Sequence, residues 1–246
     1  MRFLVLSVIL LLSTVKFAPA QMIDINEKAV GKPMYRPALI GKSPQALINR
    51  INTADLVKKG QKDGAIMFMC LVKQTGEVSE GLTYRGTPES EALEEELKKK
   101  LTDTKFIPAV YNHLPVDAVY YGTVVFTIVN EKPRLRIFSN QEIEEVKKEN
   151  DFIGPQPFYG NGSKFTGAHY PGGENAVMVN GVVQLQLKVD ATGNLQSSDV
   201  VSEDPPLRGF GLQAKADYVG AKFIPAFRNG KAVESEVTLP IFYQAK

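Results

Sequence analysis

Apolar and polar residues alternate most cleanly from Gly181, where Val183, Leu185, Leu187 and Val189 fall on one face and Gln184, Gln186 and Lys188 on the other. A period of two marks a strand with one buried face. The same period runs from Ala65 to Lys73, with Ile66, Phe68, Cys70 and Val72 as the inward set. Each strand leads through a tight turn, Gln74-Thr75-Gly76-Glu77 or Asp190-Ala191-Thr192-Gly193, into a second β-prone run, Val78 to about Tyr84 or Asn194 to Val201. Glycine at such a tip is a hairpin signal. The spacing then becomes helical: Leu93, Leu97 and Leu101 form one apolar stripe, and Phe210, Ala214 and Tyr218 another. Thr87 as cap, Pro88 at the first position, Glu89 and Glu91 in the first turn and Lys98 to Lys100 in the last predict a helix matched to its own dipole. The second helix, about Leu207 to Tyr218, contains Gly209 and Gly211, each costing about 1 kcal/mol relative to alanine, so packing must hold it. Ser43 and Pro44, followed by Ala46, Leu47, Ile48 and Ile51, predict an earlier helix leaning on the first strands. The charged stretch Gln141 to Asn150 reads as a short solvated helix with Ile143 and Val146 inward. Long final strands are predicted through Val116 to Val129 and from Val233 to Tyr243, after turns near Asn112-His113 and at Asn229-Gly230.

The elements come twice in one order because the sequence does. Lys105-Phe106-Ile107-Pro108-Ala109 returns as Lys222-Phe223-Ile224-Pro225-Ala226, and Gly64, Thr75-Gly76, Val116, Val124 and Phe126 meet Gly181, Thr192-Gly193, Val233, Ile241 and Tyr243 at the same offset, 222 − 105 = 117. A period this long indicates two copies of a small domain rather than a solenoid. The resulting division is 1–20 as an export signal, 21–130 as a first domain with its N-terminal helix, 131–165 as a linker and 166–246 as a second domain. The linker region is rich in Gly and Pro, and Phe158, Tyr159, Phe165 and Tyr170 in and beyond it predict packing rather than a free spacer.

Composition narrows the setting. Arg2, the apolar run Phe3 to Val15 and Ala18-Pro19-Ala20 form a signal-peptide pattern, with cleavage expected to leave Gln21 first. The run is shorter than the roughly 20 residues of a spanning helix and no later segment is long and apolar enough to span, so no membrane span is expected after cleavage. Without Arg2 and Lys16 the 29 basic residues become 27, equal to the 27 acidic ones. That balance argues against nucleic-acid binding, which needs a basic face. The single Cys70 cannot form an internal disulfide, so apolar cores must hold the fold.

Gly181, Val189-Asp190, Gly193, Phe223-Ile224-Pro225-Ala226, Asn229-Gly230-Lys231, Val233 and Leu239-Pro240-Ile241-Phe242, with Tyr170-Pro171 ahead of them, resemble the C-terminal domain of the TonB/TolA family. The first unit resembles a diverged second copy lacking the Tyr-Pro pair. The resemblance implies an α+β fold of two tandem small units, each a three-stranded antiparallel sheet packed with a helix (ββαβ). It also implies recognition of an envelope or outer-membrane protein by adding the partner's strand to a sheet edge. The chain lacks the family's uncleaved anchor and a Pro-rich spacer before the first unit, so energy coupling is not expected.

Two sites follow. Pro240 lies inside the last predicted strand, and proline is tolerated at an edge with its missing donor outward. Pro240 then either blunts aggregation at this edge or leaves Val233, Glu234, Ser235, Glu236, Val237 and Thr238 as the usable partner-binding edge. In the first unit the outer face, polar in the second, carries Met67, Met69 and Leu71, with Val119 and Tyr121 where the second unit has Glu236 and Thr238. Such a face needs a cover. The linker or second unit is the simplest; the alternatives are a groove for a partner peptide or an apolar ligand, and homodimerisation. Cys70 aligns with core Leu187 and reads as an inert buried thiol. With two histidines, His113 and His169, and no nucleophile, phosphate-loop or zinc spacing, no enzyme activity, cofactor or metal is expected. The expected function is a non-enzymatic protein-binding module, periplasmic or secreted. The alternative is a structural or carrier protein enclosing an apolar ligand on the first sheet's face.

Overall fold

A computed structural model describes residues 31–172 and 179–245; the expected signal, residues 1–20, lies outside the described residues. The elements, in order, are β1 (Tyr35–Arg36), α1 (Leu47–Arg50), α2 (Thr53–Lys58), β2 (Gly64–Val72), β3 (Val78–Gly86), α3 (Glu91–Leu101), β4 (Ala109–Tyr111), β5 (Leu114–Val116), β6 (Ala118–Val129) and β7 (Lys132–Phe138). After these come α4 (Ile143–Lys147), β8 (Gln156–Pro157), β9 (Gly181–Val189), β10 (Leu195–Asp204), α5 (Phe210–Asp217), β11 (Phe223–Ile224), β12 (Ala226–Arg228), β13 (Lys231–Val233) and β14 (Ser235–Tyr243). The architecture is mixed α+β, with antiparallel sheets and few helices.

The two main sheets have strand orders β3-β2-β6-β7 and β10-β9-β14. Their registers coincide at the sequence offset of 117. Gly64 faces Phe126 as Gly181 faces Tyr243, and Val72 faces Ala118 as Val189 faces Ser235. Both register shifts in β2–β3, at Met67/Phe68 and Leu71/Val72, recur in β9–β10. Gly76 and Gly193 explain part of this. Each sits at φ 84° at its hairpin tip, and its carbonyl accepts the N–H of Phe106 or Phe223 at 2.8 Å, joining the hairpin to the repeated Phe-Ile-Pro-Ala.

The first sheet departs from the predicted three strands. Asn130 and Glu131 take φ values of 49° and 62°, the left-handed pair that closes a tight hairpin, and β7 returns along β6 as a fourth strand. Leu135 and Ile137, alternating with Arg134 and Arg136, give β7 its two faces. Residues 131–138 therefore belong to the sheet rather than to a spacer. The helix starts differ too. Thr87 does not cap α3: its hydroxyl accepts the Ala65 N–H at 3.0 Å, Glu89 turns left-handed, and α3 begins at Glu91 with Gln61 Oε1 accepting the Leu93 N–H at 2.8 Å. In α5 Glu203 does the capping, taking the N–H groups of Arg208, Phe210 and Gly211 at 2.8, 3.1 and 3.2 Å. In α4 Ile143 points outward, 45% exposed, contrary to the spacing-based expectation.

The apolar interior forms two clusters, and each half of the chain contributes to both. The first gathers Phe68, Leu93, Leu97, Tyr120 and Phe126 with Phe158, Ile224 and Phe227 from beyond the first sheet. The second gathers Leu185, Phe210, Phe223 and Leu239 with Val119 and Tyr121 of β6. The segment after α4 is the seam. Ala118 bridges Phe158, Tyr159 N–H donates to Asp117 O at 2.9 Å, β8 pairs with β11, and Ile153 exchanges backbone bonds with Phe227.

A Cβ at Gly193 would stand 2.0 Å from Phe223 O, and one at Gly76 2.3 Å from Phe106 O. Gly193→Ala is expected to cost at least the roughly 1–3 kcal/mol of a forced left-handed residue, with Gly76→Ala similar. Urea denaturation of the two variants checks this; a loss under about 0.5 kcal/mol at both would contradict the tip geometry.

Candidate protein-binding edges

The expected edge residues do not form one continuous strand. Val233 belongs to the β12–β13 hairpin, opposite Ala226, and exposed Glu234 lies between strands, 3.0 Å from Lys188 Nζ. β14 begins at Ser235, which is buried along with Val237; Glu236 is exposed and accepts Gln186 Nε2 at 2.6 Å. At Thr238 both backbone groups face away from β9. Its N–H donates to Glu142 Oε1 at 3.0 Å, and its carbonyl accepts a short hydrogen bond from Gln141 Nε2. Pairing in an antiparallel ladder alternates, so Pro240 also turns its missing donor outward while Val237 and Leu239 bond to β9. The edge is occupied nonetheless. Gln141 Oε1 also receives the Tyr84 hydroxyl in a short hydrogen bond, and the Tyr84 ring lies 5.5 Å from that of Phe242. Burial pushes the Glu142 carboxyl above its ordinary pKa, the Thr238 N–H opposes this, and nearby Glu145 adds to it.

The apolar face of the first sheet is covered. Met67, Val119 and Tyr121 are buried, Met69 and Leu71 half-buried, and Val119, Tyr121 and Met69 pack with the core of the second sheet. The Tyr121 and Tyr218 hydroxyls share a hydrogen bond across this junction. A crevice beside Tyr121, bordered by Asn140, Glu142, Gly154 and Val237, encloses about 10 Å³, the room of one water molecule. The face serves as an internal joint, and that crevice is too small to admit an apolar ligand.

The opposite edge of the second sheet is open, and the sequence reading passed over it. β10 is an edge strand of ten residues, nearly all exposed or half-exposed. Beside it stand Val201 at 59% exposure, Leu212 at 80% and Leu207 at 97%. In the first sheet β3 is likewise an edge strand, and polar groups tie it to α3: Thr83 Oγ1 donates to Glu94 Oε1 at 2.6 Å, which also holds Lys98 Nζ at 2.7 Å. At the offset of 117, Val200 replaces Thr83, Gly211 replaces Glu94 and Leu212 replaces Glu95. A Cβ on Gly211 would meet Glu203 Oε2 at 3.0 Å and Val200 at 3.2 Å, and Lys215, at the place of Lys98, lies 3.5 Å from Asp199 of β10, so the exposed Val201, Leu207 and Leu212 stand beside polar links between β10 and α5. Comparison of the two copies outside their cores, position by position, would have revealed them.

Cys70 is buried, and burial raises its thiol pKa far above the ordinary value. His113 sits in the β4–β5 turn with Nδ1 2.6 Å from Lys32 O, and His169 meets buried Asp217 through Nδ1 and its own N–H, both at 2.9 Å. Among the described residues no three of His, Cys, Asp and Glu gather as a metal site, and no helix is long and apolar enough to cross a membrane. Compared with protein-family models, curated proteins and solved structures, the chain has no match.

Two carboxylates set an acid limit. Hydrogen bonds from Arg228 and Asn150 hold Glu145 at about 2, against an ordinary 4.5. Burial pushes Asp190 upward, but bonds from the Asn194 and Thr192 backbone and side chains outweigh it and leave the group at about 2, against 3.8. Depressed folded-state values give stability that is complete above the ordinary pKa and is lost as pH falls through the folded one. Stability is therefore expected to decline between pH 4.5 and 2, and urea midpoints of Glu145→Gln should fall less across that window than those of the parent protein. Parallel curves would contradict the Arg228–Glu145 pairing.

Proposed function

We propose that the chain is an exported, non-enzymatic protein-binding module of the bacterial cell envelope, periplasmic or secreted. On this reading it consists of two copies of a ββαβ unit similar to the TonB C-terminal domain, and it binds an extended segment of an envelope or outer-membrane protein by strand addition. The coincident registers and repeated bulges of the two sheets support the tandem reading. The open β10 edge, with exposed Val201, Leu207 and Leu212 beside it, carries the functional one. Main-chain bonds to β10 supply affinity, and a side chain packing on exposed Leu212 supplies selectivity. Exposed edges are normally blunted by charge, proline or a covering segment, and an apolar margin beside one favours pairing.

Because Thr238 faces away from β9, alternation gives Asp199 to the β9 ladder and leaves the Ser198 N–H on the open flank. Ser198→Pro removes that donor and keeps the ladder. Envelope proteins captured by the unaltered chain are expected to fall at least tenfold with Ser198→Pro and with Leu212→Asp, while both variants keep the parent's thermal midpoint within a few degrees. Undiminished capture by both folded variants would end the β10 assignment.

A further inference from the structure

We propose that Gln141 and Glu142 form a displaceable stopper on the outer edge of β14, and that the strand they exclude is antiparallel and alternates basic with apolar residues as β7 does, a proposal that rests on the strand-addition reading. The first sheet shows what this edge accepts. There β6 holds β7 from Thr123↔Phe138 to Val129↔Lys132. At the offset of 117 the equivalent stretch of β14 starts at Pro240, and no strand pairs with it among the described residues.

Two residues ahead of that stretch, at Thr238, lies the continuation of β7. Thr123 Oγ1 donates to Asn140 O at 2.8 Å, and Asn140 Nδ2 donates to Phe152 O at 2.9 Å, which holds the chain beside β6. The next two side chains cross to β14 and serve both outward backbone groups of Thr238, one as donor and one as acceptor. An incoming antiparallel strand would offer the same two functions from its own backbone. Extending the β6–β7 register by two residues places Asn140 opposite Tyr121, so a β7-type strand on β14 would place its equivalent residue opposite Thr238. Stopper and strand therefore compete for the same donor and acceptor. The bonds that hold the stopper to β14 are side-chain bonds, so it can leave without breaking the ladder of either sheet, whereas β7 itself is bound through backbone.

The test uses the full chain and a fluorescent peptide with the sequence of residues Lys132 to Asn140, read by anisotropy. The double variant Gln141→Ala with Glu142→Ala is expected to bind at least tenfold tighter than the parent, Glu142→Gln, which keeps an acceptor, to stay near the parent, and Thr238→Pro added to the double variant to abolish binding. Amide exchange in the single variant Glu142→Ala gives a second readout that needs no peptide: Thr238 is expected to exchange at least tenfold faster while Val237 and Leu239 stay protected. Equal peptide affinity in parent and double variant, lost in both with Thr238→Pro, overturns the stopper and leaves strand addition standing. Binding that survives Thr238→Pro, or no binding by any variant, removes β14 as a strand-accepting edge.

Discussion

Strand β6 is buried on both faces, and the rest of the molecule is arranged around that. Tyr120, Val124 and Phe126 face the first core, while Val119 and Tyr121 on the opposite side enter the second. In an antiparallel sheet one face ordinarily meets water. Here withdrawing the second half would expose two large side chains at a cost of about 1.5–3 kcal/mol each, besides opening the core they complete. The segment from Phe152 to Tyr159 closes the joint by bonding to both halves, and the apolar residues that made 131–165 an unusual spacer are the ones it buries.

Much of this was legible in the sequence because strand period and repeat offset act locally. The inward sets Ile66 to Val72 and Val183 to Val189, the α3 stripe and the turns at Gly76 and Gly193 all follow from spacing. The covered face was legible as well, because Met67, Val119 and Tyr121 break an alternation that Gln184, Glu236 and Thr238 keep. What escaped depended on tertiary partners. Nothing local says that Thr87 will pair with Ala65 rather than cap a helix, or that Gln141 and Glu142 will reach Thr238, 97 and 96 residues away. β7 was missed because Pro133 and three cations within seven residues look like solvated linker, although an outer strand suits all of them.

The same backbone register meets three different fates at its edges. β6 is covered by the chain's own next strand, β14 by two side chains, and β10 by nothing among the described residues. Backbone groups at an edge are chemically alike, so these differences come from neighbouring side chains: Arg134 and Arg136 on the strand that completes the first sheet, Glu142 at Thr238, and Val200 with Gly211 where the first sheet has Thr83 and Glu94. Edges of one scaffold thus acquire separate roles without any change in the ladder beneath them.

The coincident registers also bear on whether the two halves could be exchanged. A chimera with the second copy in both places would set Gln186 where Met69 stands and Glu236 where Val119 stands, bringing a carboxylate and an amide into a joint that now holds only apolar side chains and a tyrosine pair. The reverse chimera would leave Tyr121 and Val119 in water on the second sheet. Alike in strand register, the two sheets are therefore not interchangeable parts: each carries on its outer face the side chains that its own surroundings require, one made for a joint and the other for water.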